Sequence, residues 1–178
     1  VANETGKCVL ILEEINTLTP QVQKILNGVL DFRKRVEVPE CETVFELAKG
    51  AKLWVVGTMN TAGYGGIYQL NEDLKSRFQI LRVDYPKEEV ETSIVTEYIE
   101  RLGISVSGKI LKGVLTLAKE TRQESMDYAL STRDVVALVN AISYAGLETA
   151  LQLTSGKFED SSLATFKARV TSIFGVKL

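Results

Sequence analysis

Apolar residues recur in two different rhythms along the chain. Cys8-Val9-Leu10-Ile11-Leu12 and Leu53-Trp54-Val55-Val56-Gly57 are short runs without polar alternation. Such runs predict strands buried on both faces, as in a parallel sheet. Gln79 to Asp84 predicts a third strand, ended by Pro86. Val22, Ile25, Leu26, Val29 and Leu30 follow helical spacing instead. With Thr19 as N-cap and Pro20 at the first helical position, they predict an amphipathic helix from about Pro20 to Asp31. Arg33 to Val38 alternates charged and apolar residues until Pro39, and with Thr43 to Phe45 predicts a hairpin. Thr61 to Gly66 reads as a glycine-rich loop, and Leu74 to Phe78 as a short amphipathic stretch.

The pattern changes after Pro86. Val90, Ile94, Val95, Tyr98, Ile99 and Leu102 predict a helix, and Ile110, Leu111, Val114, Leu115 and Ala118 another. A third runs from Thr132 to Ala145, capped by Ser131 or Thr132. A fourth, Ser161 to Phe174, carries Leu163, Phe166, Val170 and Ile173. The fold expected is α/β over residues 1–86, with a parallel sheet, and all-α over residues 87–178.

Composition narrows the chemistry. The 178 residues include no histidine, which removes Ser-His triads, histidine acid–base catalysis and most zinc sites. Net charge is -2, so bulk electrostatics do not indicate nucleic acid as a partner. Cys8 and Cys41 make no disulfide framework, and Cys8 reads as a reduced intracellular thiol. No apolar run reaches membrane length and no signal peptide precedes the first strand, so a cytoplasmic protein is expected.

What stands out is where the first strand ends. Glu13 and Glu14 follow Leu12 and would lie at the carboxyl edge of a parallel sheet. Ligands of open α/β sheets bind outside that edge. A carboxylate pair there can hold Mg²⁺ and position the water that attacks a γ-phosphate.

Four motifs in order resemble the AAA+ ATPases, specifically the MoxR-like and dynein-related branch with its CobS-like proteins, over almost the whole chain. Leu10 to Asn16 resembles the Walker B strand, whose apolar run ends in Asp-Glu, often followed by Ile-Asn. The resemblance implies that Glu13 assists Mg²⁺ through water and that Glu14 polarises the attacking water. Glu13 stands where the family has Asp, one methylene longer. Asn60 resembles sensor 1, which hydrogen-bonds the attacking water or the γ-phosphate. Leu74-Lys75-Ser76-Arg77-Phe78 resembles the arginine-finger segment. Arg77 would then act on a neighbouring subunit's nucleotide, a task suited to an always-charged guanidinium. Ser131-Thr132-Arg133 resembles sensor 2, where Arg133 would reach the nucleotide of its own subunit.

The implied cofactors are ATP and Mg²⁺. The implied partners are neighbouring AAA+ subunits in a hexameric ring, acting on an unknown protein substrate or adaptor. Thr58-Met59-Asn60-Thr61-Ala62 is also similar to the GTP-using McrB restriction motors. Those continue with Asp-Arg-Ser, whereas this chain has Gly63-Tyr64-Gly65. Two alternatives accompany the main reading: a degenerate AAA+ scaffold acting by protein contacts, and a GTP-driven DNA motor.

The family's P-loop is not found before Val9. Gly6-Lys7-Cys8 has Cys where Mg²⁺ needs Ser or Thr, and it precedes a strand rather than a helix. The expectation is therefore an incomplete P-loop NTPase (AAA+) core, with Walker B, sensor 1 and finger in residues 1–86. A helical lid bearing sensor 2 follows in residues 87–178.

Overall fold

The first unit, Val1–Arg82, carries the carboxylate-bearing strand, and the second, Val83–Leu178, is helical. The computed structural model describes residues 6–38, 41–60, 68–123 and 126–178. The glycine-rich loop read at Thr61 to Gly66, and Pro39, lie outside them.

In the first unit the order is β1 (Lys7–Leu12), a single 3-10 turn (Ile15–Thr17), α1 (Pro20–Leu30), β2 (Arg35–Val38), β3 (Thr43–Glu46), β4 (Lys52–Gly57) and α2 (Glu72–Lys75). β1 and β4 pair in parallel, from Lys7 opposite Lys52 to Leu12 opposite Gly57. β2 and β3 form the antiparallel hairpin that the alternation predicts. Ile15, Leu70 and Leu74 are buried, with Leu12, Leu18, Leu26, Leu30 and Phe78 packed against them. Leu26 and Leu30 of α1 thus pack toward residues that follow both sheet strands, while Val22 and Ile25 of the same stripe stay exposed.

Two expectations are corrected here. Burial alternates along β1 and β4 instead of covering both faces. Val9, Ile11 and Trp54 are 59%, 61% and 73% exposed. In register, Val9 faces Trp54 and Ile11 faces Val56, so these residues form one open apolar face. The described residues of this unit place no layer over it. The third strand also does not form. Residues 79–87 have no regular secondary structure, and Leu81 and Val83 are 85% and 86% exposed. A strand exists only through its partner's hydrogen bonds, and no described strand pairs with this segment.

Gly28 lets α1 pass close to the start of β2. A Cβ there would stand 2.5 Å from the Arg35 carbonyl oxygen. That oxygen is backbone and cannot rotate away. Gly28→Ala gains up to ~1 kcal/mol of helix propensity, but overpacking costs about 1–3 kcal/mol, and the backbone clash puts this site at the upper end. A net loss of stability is expected, read as a lower denaturation midpoint. An unchanged or raised midpoint would show that α1 shifts without penalty.

The second unit consists of α3 (Glu88–Leu102), α4 (Gly108–Gln123), α5 (Thr132–Ala145), α6 (Leu147–Ser155) and α7 (Asp160–Phe174). Helix α6 was not anticipated. Val95, Val114, Leu117, Val135, Val139, Leu151, Phe166 and Val170 are buried in one core. Phe158 stacks on Phe166 with centroids 4.3 Å apart.

Two buried carboxylates hold this core to its polar surroundings. Glu91 takes a two-pronged bond from Arg122, 2.8 Å on each arm, while Arg122 Nε donates to the Leu130 carbonyl. The Arg122 guanidinium also lies 4.2 Å from the Tyr85 ring centroid. Asp134 accepts from Ser131 in a capping box and pairs with Lys157. Burial pushes both carboxyls up, but the Arg122 bonds to Glu91, and the Lys157 and Ser131 bonds to Asp134, outweigh it and lower both.

A carboxyl lowered in the folded state stabilises fully above its unfolded value and loses that contribution as pH falls toward the folded value. The second unit should therefore lose thermal stability as pH falls through the ordinary carboxylate range and below it. Glu91→Gln should flatten that dependence. A midpoint independent of pH over this range would contradict the assignment.

Candidate functional site

β1 delivers two carboxylates to the carboxyl edge of the small sheet. Glu13 and Glu14 are both exposed, and neither makes an ion pair with a described residue. Glu14 adopts left-handed backbone, φ 52° and ψ 46°. A non-glycine residue pays a steric penalty there and persists only where its surroundings hold it. Here the Thr17 N–H and hydroxyl both donate to the Glu14 carbonyl at 2.8 Å. The Glu14 N–H donates to Thr58 Oγ1 at 3.2 Å, and the Ile15 N–H to the Thr58 carbonyl at 2.9 Å.

Thr58 therefore joins the ends of the two strands, its own N–H donating to the Leu12 carbonyl. Two residues on, Asn60 is exposed. Its carbonyl accepts from the Asn16 carboxamide at 3.0 Å. The fold brings Glu14 and Asn60 to one edge, through neighbouring parallel strands and the bonds between their ends.

Arg77 lies in the same unit, and its described hydrogen bond goes to neither of them. It is exposed, just past α2, and its guanidinium donates to the Asp73 carbonyl. It also lowers the Asp31 carboxyl, a minor influence beside the Arg33 hydrogen bond. Arg77 is thus electrostatically coupled to the C-terminal end of α1. Arg133 belongs to the second unit, exposed in the first turn of α5. Among the described residues it has no hydrogen-bond or ion-pair partner.

The sequence reading overlooked Thr58, Asn16 and Gln23. Gln23 is fully buried on α1. Its amide donates to the Leu18 carbonyl at 2.9 Å and accepts from the Asn71 N–H at 2.9 Å, tying α1 to the entry of α2. The available signal was a long polar residue inside the apolar stripe of α1.

The edge can hold a hydrated cation and polarise a water. Mg²⁺ typically takes one or two carboxylates, with waters and substrate phosphates completing its octahedron. Two adjacent exposed carboxylates fit that role. Among the described residues no group of three or more His, Cys, Asp or Glu forms an all-protein cage. A phosphate cradle is not formed by Gly6-Lys7. Gly6 has φ 116° and Lys7 opens β1, so this dipeptide enters a strand and presents no helix N-terminus.

Residues 2–78 match the family model of the AAA domain, dynein-related subfamily. The match supports a relationship to the AAA+ ATPases. It includes Glu13, Glu14, Asn60 and Arg77, and ends before the helical unit. The chain is also similar to uncharacterized proteins of staphylococci. It is 31% identical to one from Staphylococcus saprophyticus over 154 residues, which cover 85% of this chain and 57% of that protein. Relatives in Staphylococcus haemolyticus and Staphylococcus epidermidis are 30% and 31% identical with the same coverage. The chain thus spans little more than half the length of these relatives. No described helix is long and apolar enough to cross a membrane.

Proposed function

We propose that this chain supplies the Walker B, sensor and lid parts of a ring-forming AAA+ ATPase of the MoxR-like branch, which uses ATP and Mg²⁺ to remodel a protein substrate. The observation that carries the reading is the joined edge. Glu14 is held in left-handed backbone at the end of β1, bonded to the strand that leads to Asn60. In this reading Glu13 holds Mg²⁺ through water. Glu14 draws a proton from the attacking water, and Asn60 orients that water or the γ-phosphate. Mg²⁺ would supply charge neutralisation at the phosphates. Arg77 stabilises developing charge on a neighbouring subunit's nucleotide, and its exposure leaves the guanidinium open to such a contact. Arg133 contacts nucleotide from the helical lid.

The phosphate cradle belongs to a segment beyond these residues. The 178-residue chain alone should therefore bind ATP weakly or not at all, since among the described residues no run of backbone N–H groups cradles the β- and γ-phosphates. Calorimetric titration checks this. A micromolar dissociation constant would mean that the chain holds a phosphate loop of its own.

Turnover assays on the complete protein test the function. ATP hydrolysis is expected. Turnover of GTP alone would favour a DNA motor of the McrB kind, and no turnover with either nucleotide would favour a scaffold.

A further inference from the structure

Asn16 has a position that neither its sequence motif nor the proposed chemistry accounts for. It follows the carboxylates by two residues and is only 3% exposed. Its side-chain amide donates to the Asn60 carbonyl at 3.0 Å, and its own carbonyl accepts from the Tyr68 N–H at 2.7 Å. The same residue therefore binds both flanks of residues 61–67. On its other side, Ile15 and Glu14 bond to Thr58. The carboxamide oxygen of Asn16 is buried with no hydrogen-bond partner among the described residues.

We propose that Asn16 is a positioning residue that sets the place of Asn60 relative to Glu14. The proposal rests on the reading of Asn60 as the group that orients the attacking water or the γ-phosphate. The donor N–H fixes the Asn60 backbone, and Glu14 caps the 3-10 turn that carries Asn16. One rigid turn thereby governs both groups, and the distance between them becomes a property of the fold rather than of two independent strand ends. Asn16 touches neither nucleotide nor water in this scheme. It acts through Asn60.

Asn16→Asp tests this with almost no change in volume. A carboxylate oxygen replaces the donor and faces the Asn60 carbonyl, acceptor against acceptor. Where Asn16→Asp does not fold, Asn16→Ser serves, because its hydroxyl is too short to reach that carbonyl. In the complete protein, ATP turnover should fall about three- to tenfold in kcat, the worth of one hydrogen bond, with KM for ATP unchanged. In the Asn60→Ala background the same substitution should cause no further loss. Hydrogen exchange followed by mass spectrometry supplies a readout independent of turnover. Peptides containing Ile15 and Tyr68 should exchange faster, while the β2–β3 hairpin stays as it was.

An equal loss of kcat with and without Asn60 would overturn the proposal and leave the role of Asn60 intact. Unchanged exchange at Tyr68 would overturn it as well. If Asn60→Ala alone leaves kcat unchanged, the reading of Asn60 fails and the positioning role fails with it.

Discussion

Glu14→Gln should abolish ATP turnover in the complete protein while leaving ATP binding intact. The substitution keeps the length and shape of the side chain and removes only the carboxylate that accepts the water's proton. General-base catalysis is worth roughly 10²–10⁴ in rate, so turnover should fall by at least about a hundredfold. The backbone bonds that hold residue 14 come from its N–H and carbonyl, not its side chain. The amide variant should therefore keep the same left-handed conformation and the same fold. Glu13→Gln provides the contrast. If Glu13 carries the metal, its loss should appear as a higher Mg²⁺ requirement, restored in part at saturating Mg²⁺. A larger loss from Glu13→Gln at saturating Mg²⁺ would mean that the two carboxylates have exchanged roles.

Arg77→Ala should also cut hydrolysis steeply, with little change in ATP affinity. Arginine fingers contribute roughly 10³–10⁵ in rate in well-studied GTPases. Arg77 is exposed, and its recorded hydrogen bond is to a backbone carbonyl of its own short helix, so truncation leaves no buried partner unsatisfied. Loss of rate would not be a folding artefact. The in-trans character is tested by mixing. Subunits lacking Arg77 but able to bind nucleotide are combined with subunits that keep Arg77 but cannot bind it. Activity should return, because a shared interface then has both halves. Mixed rings that form and stay inactive would assign Arg77 to a solvated helix end instead.

Much of this geometry was legible in the residue order. Val9–Leu12 and Leu53–Gly57 contain nothing but apolar residues and a glycine, and Thr19 and Pro20 place the start of α1 where it is observed. A hydroxyl cap on α5 was readable at Ser131 or Thr132, and the reciprocal bonds between Ser131 and Asp134 decide for Ser131. What failed depended on partners. An uninterrupted apolar run does not say whether both faces are covered, and the face of Val9, Ile11 and Trp54 is open. Gln79–Asp84 has strand composition but no described neighbour to bond. Helix α6 was hidden because Gly146, at φ 81°, looks like the end of α5 and is also the start of the next helix. Its buried residues Ala150, Leu151, Thr154 and Ser155 mix apolar and polar types, which blurs the stripe.

The candidate site divides along the same line. Glu13, Glu14 and Asn60 stand at strand ends, which sequence locates well. Asn16 and Thr58 act through backbone bonds between segments 44 residues apart, which no local pattern reveals.

A structure of the complete protein with Mg²⁺ and a slowly hydrolysed ATP analogue tests the central claim most directly. The account predicts the γ-phosphate at the carboxyl edge of β1, with Glu14 and Asn60 of one subunit and Arg77 of the next directed at it. Nucleotide bound elsewhere, or at that edge with the Glu14 carboxylate turned away from the γ-phosphate, would contradict it.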